Sequence, residues 1–487
     1  MVPAADDQAQ TSVALSPLRA TGIVGIGSIV SLLLSVVTAK AFALLVGPTG
    51  IGLLALMQST IIVGVMIASL GLATSAVRAI AAASGAPAGE AHAVTRSASL
   101  VGYVGGLVAA TVLIALREPL AEIVLGSADR SSMFAILGAA LGFAVAASVH
   151  VALLTGLHRV RRIVTVNVVT SAAAAALGIA FVAALGEDGL APGVLATAAV
   201  QFALARAFVI REQRSLERPS AAELQPRRIG RLISSGLPVA AGQLAGSGAL
   251  YLVPVIVLQV LQTDEVGYYR AAAAISIGYL TFFLAALTQD FYPRLARTTD
   301  HVQLGVLVER RMRLLMALGV PVIVGLLATG PLLIELLYTA EFAPAYAVLQ
   351  WQLVGDLVRL PAWVLVFVLL ARGRTGSYLR AEVVGGVSLL VGSYLGLVLL
   401  GLVGAGVGYA LSQLVYYVAA WLLVRRYVAT TPGRLQGVVL ATAALASLLI
   451  LAPLPLSAKS GLLGAAAFVF AAVAWPRLYR LHRRGEL

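Results

Sequence analysis

Eight charged side chains sit in or at the edge of long apolar stretches of this chain: Lys40, Arg78, Arg206, Arg270, Asp290, Glu309, Asp356 and Arg359. An ionisable group in mid-membrane costs about 2.5–3.5 kcal/mol on insertion scales, so each needs a partner or a hydrated cavity. The excess among them is cationic. Guanidinium and ammonium groups around a hydrated cavity suit an anion, above all a phosphate, which arginine can grip through two parallel hydrogen bonds. The candidate lining is Lys40, Arg270 and Arg359, with Arg206 and Arg78 nearer one end of their stretches. Asp356 and Asp290 are candidates for ion coupling or for ion pairing, and Gln58, Gln243 and Gln352 for polar lining that bonds sugar hydroxyls.

Each residue also has a plainer role. Lys40 lies seven residues before Gly47 and can snorkel to the surface. Arg270 can be neutralised by Asp264 and Glu265, and Asp290 by Arg294. Arg359 follows Asp356 by three residues, a spacing that puts both on one helix face. Arg206, one turn from the end of its helix, can snorkel, and the glutamines can make ordinary interhelical bonds. His150 reads as a packed, hydrogen-bonded histidine.

Catalytic chemistry finds no support. The chain has no GxxxxGK[ST] phosphate loop, no HExxH and no GxSxG. It has no cysteine, which removes disulfides, thiol nucleophiles and Cys-ligated metals. No enzyme, cofactor or metal is expected.

The elements that must hold these charges are membrane helices. Of 487 residues, 60% are hydrophobic and 11% charged, with mean hydropathy +0.96. A soluble domain carries about 25% charged residues, so this chain cannot cover a water-facing surface. Most apolar blocks exceed the ~18 residues that read as a span. The pattern predicts spans at 18–46, 51–82, 93–116, 132–157, 163–185 and 189–210. A charged linker at 211–231 follows. Further spans are predicted at 232–261, 265–292, 304–329, 346–371, 376–400 and 403–424, then a shorter pair at 435–452 and 460–475. Gly47-Pro48, Gly330-Pro331 and Pro453/Pro455 punctuate the ends.

Arginine and lysine test this scheme. One set of loops collects nearly all of them, while the other holds only Arg117, Arg130 and Lys459 beside Glu118, Glu122, Asp129, Glu187, Asp188, Asp264, Glu265, Glu335 and Glu341. No loop breaks the alternation. The rule that cytoplasmic loops are basic puts both termini inside and supports an even count of fourteen helices. The formal charge of +13 is then a matter of topology, not of nucleic-acid binding.

GPTGIGLLAL after the first span resembles TDEVGYYRAA after the seventh. Two parallel six-helix lobes are therefore expected, 18–210 and 232–430, between a tail at 1–17, the linker, and an extra helix pair with a basic tail at 431–487. The expected fold is an all-α polytopic membrane protein, and the expected state is a monomer.

The stretch WQLVGDLVRLPAWVLVFVLLARG at 351–373, with Tyr378 and the AEV at 381–383, resembles the tenth-helix region of Wzx-type flippases of O-antigen and enterobacterial common antigen (lipid III). Supporting stretches are AKAFALLVGPTGIGLLAL at 39–56, DEVGYYRAAAAISIGYL at 264–280 and DFYPRLART at 290–298. The resemblance runs from about residue 20 to 426. It implies the two-lobed fold of the multidrug/oligosaccharidyl-lipid/polysaccharide exporter superfamily. It also implies transfer of undecaprenyl-pyrophosphate-linked glycans across the inner (cytoplasmic) membrane, with the headgroup in a cationic cavity and the polyprenyl tail in lipid. Other polysaccharide assembly proteins would be partners. Lys40, Asp356 and Arg359 match family positions, whereas Arg270 falls where the pattern varies. The last helix pair exceeds the twelve helices usual in the family, which leaves room for a lipid-II-like or capsule exporter. A drug or cation antiporter of the same superfamily would call for carboxylates in the first lobe, and its spans have none in their interiors.

Overall fold

Inside a bilayer every backbone amide and carbonyl must find a partner within the chain, which the α-helix alone provides segment by segment. The computed structural model follows that rule: all regular structure among the described residues is helical. It describes residues 17–83, 89–215, 226–286, 291, 294, 295, 298, 300–428, 445–448, 450–452 and 462. Asp290, the first sixteen residues and nearly all of the C-terminal helix pair lie outside them.

The helices are α1 (Pro17–Ala68), α2 (Leu72–Ala83), α3 (Glu90–Ala115), α4 (Arg117–Leu125), α5 (Ser131–Gly156), α6 (Val160–Leu185) and α7 (Leu190–Ser215). Then come α8 (Pro226–Gln243), a π-turn (Leu244–Gly248), α9 (Ala249–Val260), α10 (Thr263–Ala286), α11 (His301–Leu337), α12 (Ala345–Ala371), α13 (Thr375–Leu400) and α14 (Leu402–Val424). Among the described residues, nine helical stretches are long and apolar enough to cross a membrane. Two of them, Val24–Ala68 and Val160–Arg214, have 45 and 55 residues. At about 20 residues per crossing, each is long enough for two.

Several boundaries differ from the sequence pattern. The first two expected spans are joined in α1 across a kink at Gly47 (φ 59°, ψ −161°), where Pro48 removes an amide donor. The second span breaks at Leu70 and Gly71, both with positive φ, and resumes as α2. The expected loop at 117–131 contains α4, and α7 and α8 extend into the expected linker. Gly330-Pro331 does not end a helix, because α11 runs through it to Leu337. Proline costs a transmembrane helix less than a soluble one, since neighbouring helices satisfy the freed groups. A side chain at Gly330 would meet the Tyr346 ring of α12 at 2.6 Å, so this glycine serves packing.

Two bundles emerge. In the first, α5 packs on α2, α3 and α7, and α6 on α1 and α7. In the second, α12 packs on α10, α11 and α14, and α13 on α9 and α14. Helix α13 carries Gly392 and Gly396, and α14 carries Gly404 and Gly408, two GxxxG pairs that bring the backbones together. A Cβ on Gly404 would collide with the Gly396 carbonyl, and one on Gly408 with that of Gly392.

The bundles meet mainly along α1–α10 and α2–α8. At the acidic end the two similar segments face each other. A Cβ on Gly52 would strike the Thr263 carbonyl, one on Gly267 would strike that of Pro48, and the Thr49 hydroxyl donates to Asp264. The partners in the Thr49–Asp264 bond are 215 residues apart, and the same offset relates Pro48 to Thr263 and Gly52 to Gly267. Towards the basic end, Gly71 and Gly236 pass so closely that neither has space for a side chain.

Candidate functional site

Arg270 is placed by α10, one turn after Gly267 has drawn that helix against α1. Its guanidinium reaches a cavity of about 350 Å³ between α1, α6 and α10. Ser35, Thr38, Gln58, Thr170, Ser171 and Tyr338 contribute polar groups to the wall. Arg270 Nη2 donates to Gln58 Oε1 at 3.1 Å. Among the described residues Arg270 has no carboxylate partner. Asp264 accepts instead from Thr49, and Glu265 Oε2 is buried without a hydrogen bond. The hydroxyls of Ser35 and Thr38 donate one turn back, to Ser31 O at 2.8 Å and Leu34 O at 2.7 Å, so their remaining capacity is to accept. Thr170 Oγ1 is buried with no partner among the described residues. One half-buried cation thus faces several hydroxyl oxygens.

Arg359 is organised differently. On α12, Asp356 is fully buried and accepts from three hydroxyls: Ser276 Oγ at 2.8 Å, Tyr279 Oη at 2.8 Å and Tyr409 Oη at 2.7 Å. Arg359 Nη1 donates to the same Tyr409 oxygen at 2.7 Å, so a tyrosine links cation and carboxylate where a direct pair was expected. The guanidinium also lies over Trp363, 4.8 Å from the ring centroid. It lines a second cavity, of about 370 Å³, between the π-turn, α9, α12, α13 and α14. Glu382 of α13 also lines it and accepts from Tyr416 Oη at 2.8 Å. This cavity therefore has both signs of charge.

The remaining predicted residues are scattered. The Lys40 ammonium donates to the carbonyls of Glu335 (2.9 Å) and Tyr338 at the C-terminal end of α11. A cation there complements the negative end of the helix dipole. Arg206 is exposed and stacks over Tyr103 and Phe202, 5.8 and 5.9 Å from their centroids. His150 is buried, with Nε2 3.0 Å from Tyr103 Oη and Nδ1 2.6 Å from Ala146 O. Arg78 is exposed on α2, near the basic end. Gln352 is buried with Oε1 unpaired, and Gln243 is exposed at the end of α8. Arg270 and Gln58 are brought together, as are Asp356 and Arg359. Lys40, Arg206, Arg78, Gln243 and Gln352 join neither cluster.

The sequence profile of the polysaccharide biosynthesis protein family matches residues 41–347, more than half of the chain. The chain belongs to that family. The lipid III flippases of Escherichia coli (strain K12) and Shigella flexneri are each 28% identical to this chain over 158 residues, 32% of its length. The chain spans 37% of the length of these curated relatives in the match. An inward-facing multidrug resistance MATE family transporter of the MOP superfamily superposes with TM-score 0.65, at 14% identity, over 88% of this chain and 96% of its own. The lipid II flippase MurJ, in an inward closed conformation, superposes with TM-score 0.65, at 12% identity, over 95% and 100%. At such identities the likeness is one of fold. With its apolar helices, that fold makes the chain a multi-pass membrane protein.

The hydroxyls around Asp356 and the carboxylate of Glu382 are not among the site residues that the sequence offers. Glu382 lies seven residues into α13, and this position was the available signal: a lone acid that deep in an apolar helix needs an internal partner. Ser276, Tyr279, Tyr409 and Tyr416 carry no such signal, because a tyrosine or serine in a membrane helix is common and its partner lies on another helix.

Proposed function

We propose that this protein is a lipid-linked oligosaccharide flippase. It moves undecaprenyl-pyrophosphate-linked repeat units from the cytoplasmic to the periplasmic leaflet of the inner membrane by alternating access. The observation that carries this reading is Arg270: an intramembrane cation with a neutral glutamine as its partner, facing a wall of hydroxyl oxygens. Among the described residues no carboxylate pairs with it, and a guanidinium so placed in low dielectric is ready for an anion that travels. Hydroxyl oxygens with free acceptor capacity complement the donors on a sugar. Together they suit a phosphate joined to a glycan better than a cationic drug. Exposed Leu32, Leu107, Val387 and Leu399 are suited to lie against lipid tails, where the polyprenyl chain would stay.

Depletion of the protein in its host should accumulate the lipid-linked glycan in the cytoplasmic leaflet, read by accessibility to a membrane-impermeant sugar-oxidising probe. Unchanged leaflet distribution would overturn the reading. A lipid-II-like or capsule glycolipid would give the same result with a different glycan, identified by mass spectrometry of the accumulated lipid.

The superfamily fold also suits a drug or cation antiporter, with Asp356 or Asp290 as the coupling acid. Three hydroxyl donors already occupy Asp356, which argues against a cation site there. Efflux of cationic dyes dependent on this protein would favour the antiporter.

A further inference from the structure

Away from both cavities, a third one of about 430 Å³ opens at the basic end of the seam between the bundles. Among the described residues, its charged lining is Arg78 from α2, Arg228 and Arg231 from α8, and Glu90 from the start of α3. Ser75 and Ser235 add polar atoms. Glu90 Oε1 is 3.7 Å from Arg228 Nη2, a long contact. Arg78 Nη2 reaches the Ser235 carbonyl at 3.4 Å, using one of its five donors on a weak bond. Among the described residues, three guanidinium groups therefore share one basin with a single carboxylate.

The bias towards basic cytoplasmic loops does not explain that convergence. It is satisfied by arginines anywhere along these loops, each facing water separately. Drawing three into one basin from two bundles makes like charges repel, a cost that a bound anion removes. Helices α3 and α8 both begin at the basin, so the positive ends of their dipoles add to the field. The basin also sits at the mouth of a closure. Seven residues before Arg78 is Gly71, and five after Arg231 is Gly236, the pair whose backbones seal α2 against α8.

We infer that this basin is a docking site for a pyrophosphate group, held by arginines of both bundles before it passes the Gly71–Gly236 contact. The flippase reading supplies the identity of the carrier, a lipid headgroup, while the anion site stands on the arginines. One anion bridging α2 and α8 would tie its own binding to the seam that must open for transport.

The test uses the full chain in phosphatidylcholine nanodiscs, titrated with inorganic pyrophosphate by calorimetry. Wild type should bind. Arg228→Gln with Arg231→Gln should weaken binding about tenfold or more, the loss of roughly 1.4 kcal/mol or more. Glu90→Gln removes the competing carboxylate and should tighten binding. Arg161→Gln with Arg426→Gln removes two exposed charges elsewhere on the same end and should leave affinity unchanged. No binding by wild type, or equal binding by the Arg228/Arg231 variant, overturns the site. If that variant does not fold, failure of Glu90→Gln to tighten binding overturns it. A second set of nanodiscs carries polyprenyl pyrophosphate. Loss of free pyrophosphate binding there supports the lipid headgroup as occupant, and undiminished binding overturns that assignment in favour of a soluble anion. Transport failure with intact pyrophosphate binding removes the flippase reading alone. Binding failure with intact transport removes the basin alone.

Discussion

The Arg270 and Arg359 cavities have similar volumes and each holds one arginine, yet they are built to opposite ends. Around Arg359 the protein supplies everything: an aromatic face, the Tyr409 hydroxyl, and a buried carboxylate one tyrosine away. Around Arg270 it supplies a neutral amide and hydroxyl oxygens, and no described carboxylate. A cation satisfied internally fixes the packing of α10, α12 and α14. A cation left with spare donors keeps them for something that comes and goes. The difference teaches that intramembrane charge alone does not mark a transport site, and that the partners decide.

The contrast breaks most visibly at Asp356. Asp356→Ala removes the carboxylate that Tyr409 links to Arg359 and the acceptor of three hydroxyls, and each buried donor left unsatisfied costs about 1–3 kcal/mol. Thermal unfolding in detergent should show a large fall in Tm and yield, whereas an unchanged Tm would mean that Arg359 draws its stability from elsewhere. Next comes Gly404→Leu, which drives a side chain into the Gly396 backbone. Overpacking of this kind costs about 1–3 kcal/mol, so Tm should fall clearly, though less than for Asp356→Ala. The smallest effect belongs to Lys40→Met. It removes a cation from the end of α11, worth about 0.3–1 kcal/mol, and should lower Tm slightly while transport continues. Loss of transport at unchanged Tm would return Lys40 to the transport path.

How much of this was legible beforehand follows from where each signal resides. Helices, loops and the asymmetry of Arg and Lys are local properties of the chain, and α3, α5, α6, α12, α13 and α14 begin and end within a few residues of the hydropathy pattern. Positions 330–331 misled, because proline and glycine end helices in water but pack inside them in lipid. Likewise, the likeness between the segments after Gly47 and after Gln262 could be seen, but not that the two would meet at Gly52 and Gly267. In the candidate site, sequence located the charges and left their partners open. Spacing offered Asp356 as the direct mate of Arg359, yet Tyr409, 50 residues beyond the arginine, stands between them. Spacing offered Asp264 as the mate of Arg270, and Thr49 holds it instead. Partners across helices are set by rotation and tilt, which hydropathy does not encode.

The most direct test is translocation of lipid-linked glycan by the protein reconstituted in vesicles, comparing wild type with Arg270→Gln. Removing a charge-assisted hydrogen bond to a phosphate costs about 1.5–3 kcal/mol, so the rate should fall about tenfold or more. Tm should stay near that of wild type, since Arg270 has no ion pair among the described residues to lose. Wild-type translocation by Arg270→Gln would contradict the assignment of this cavity to the travelling anion.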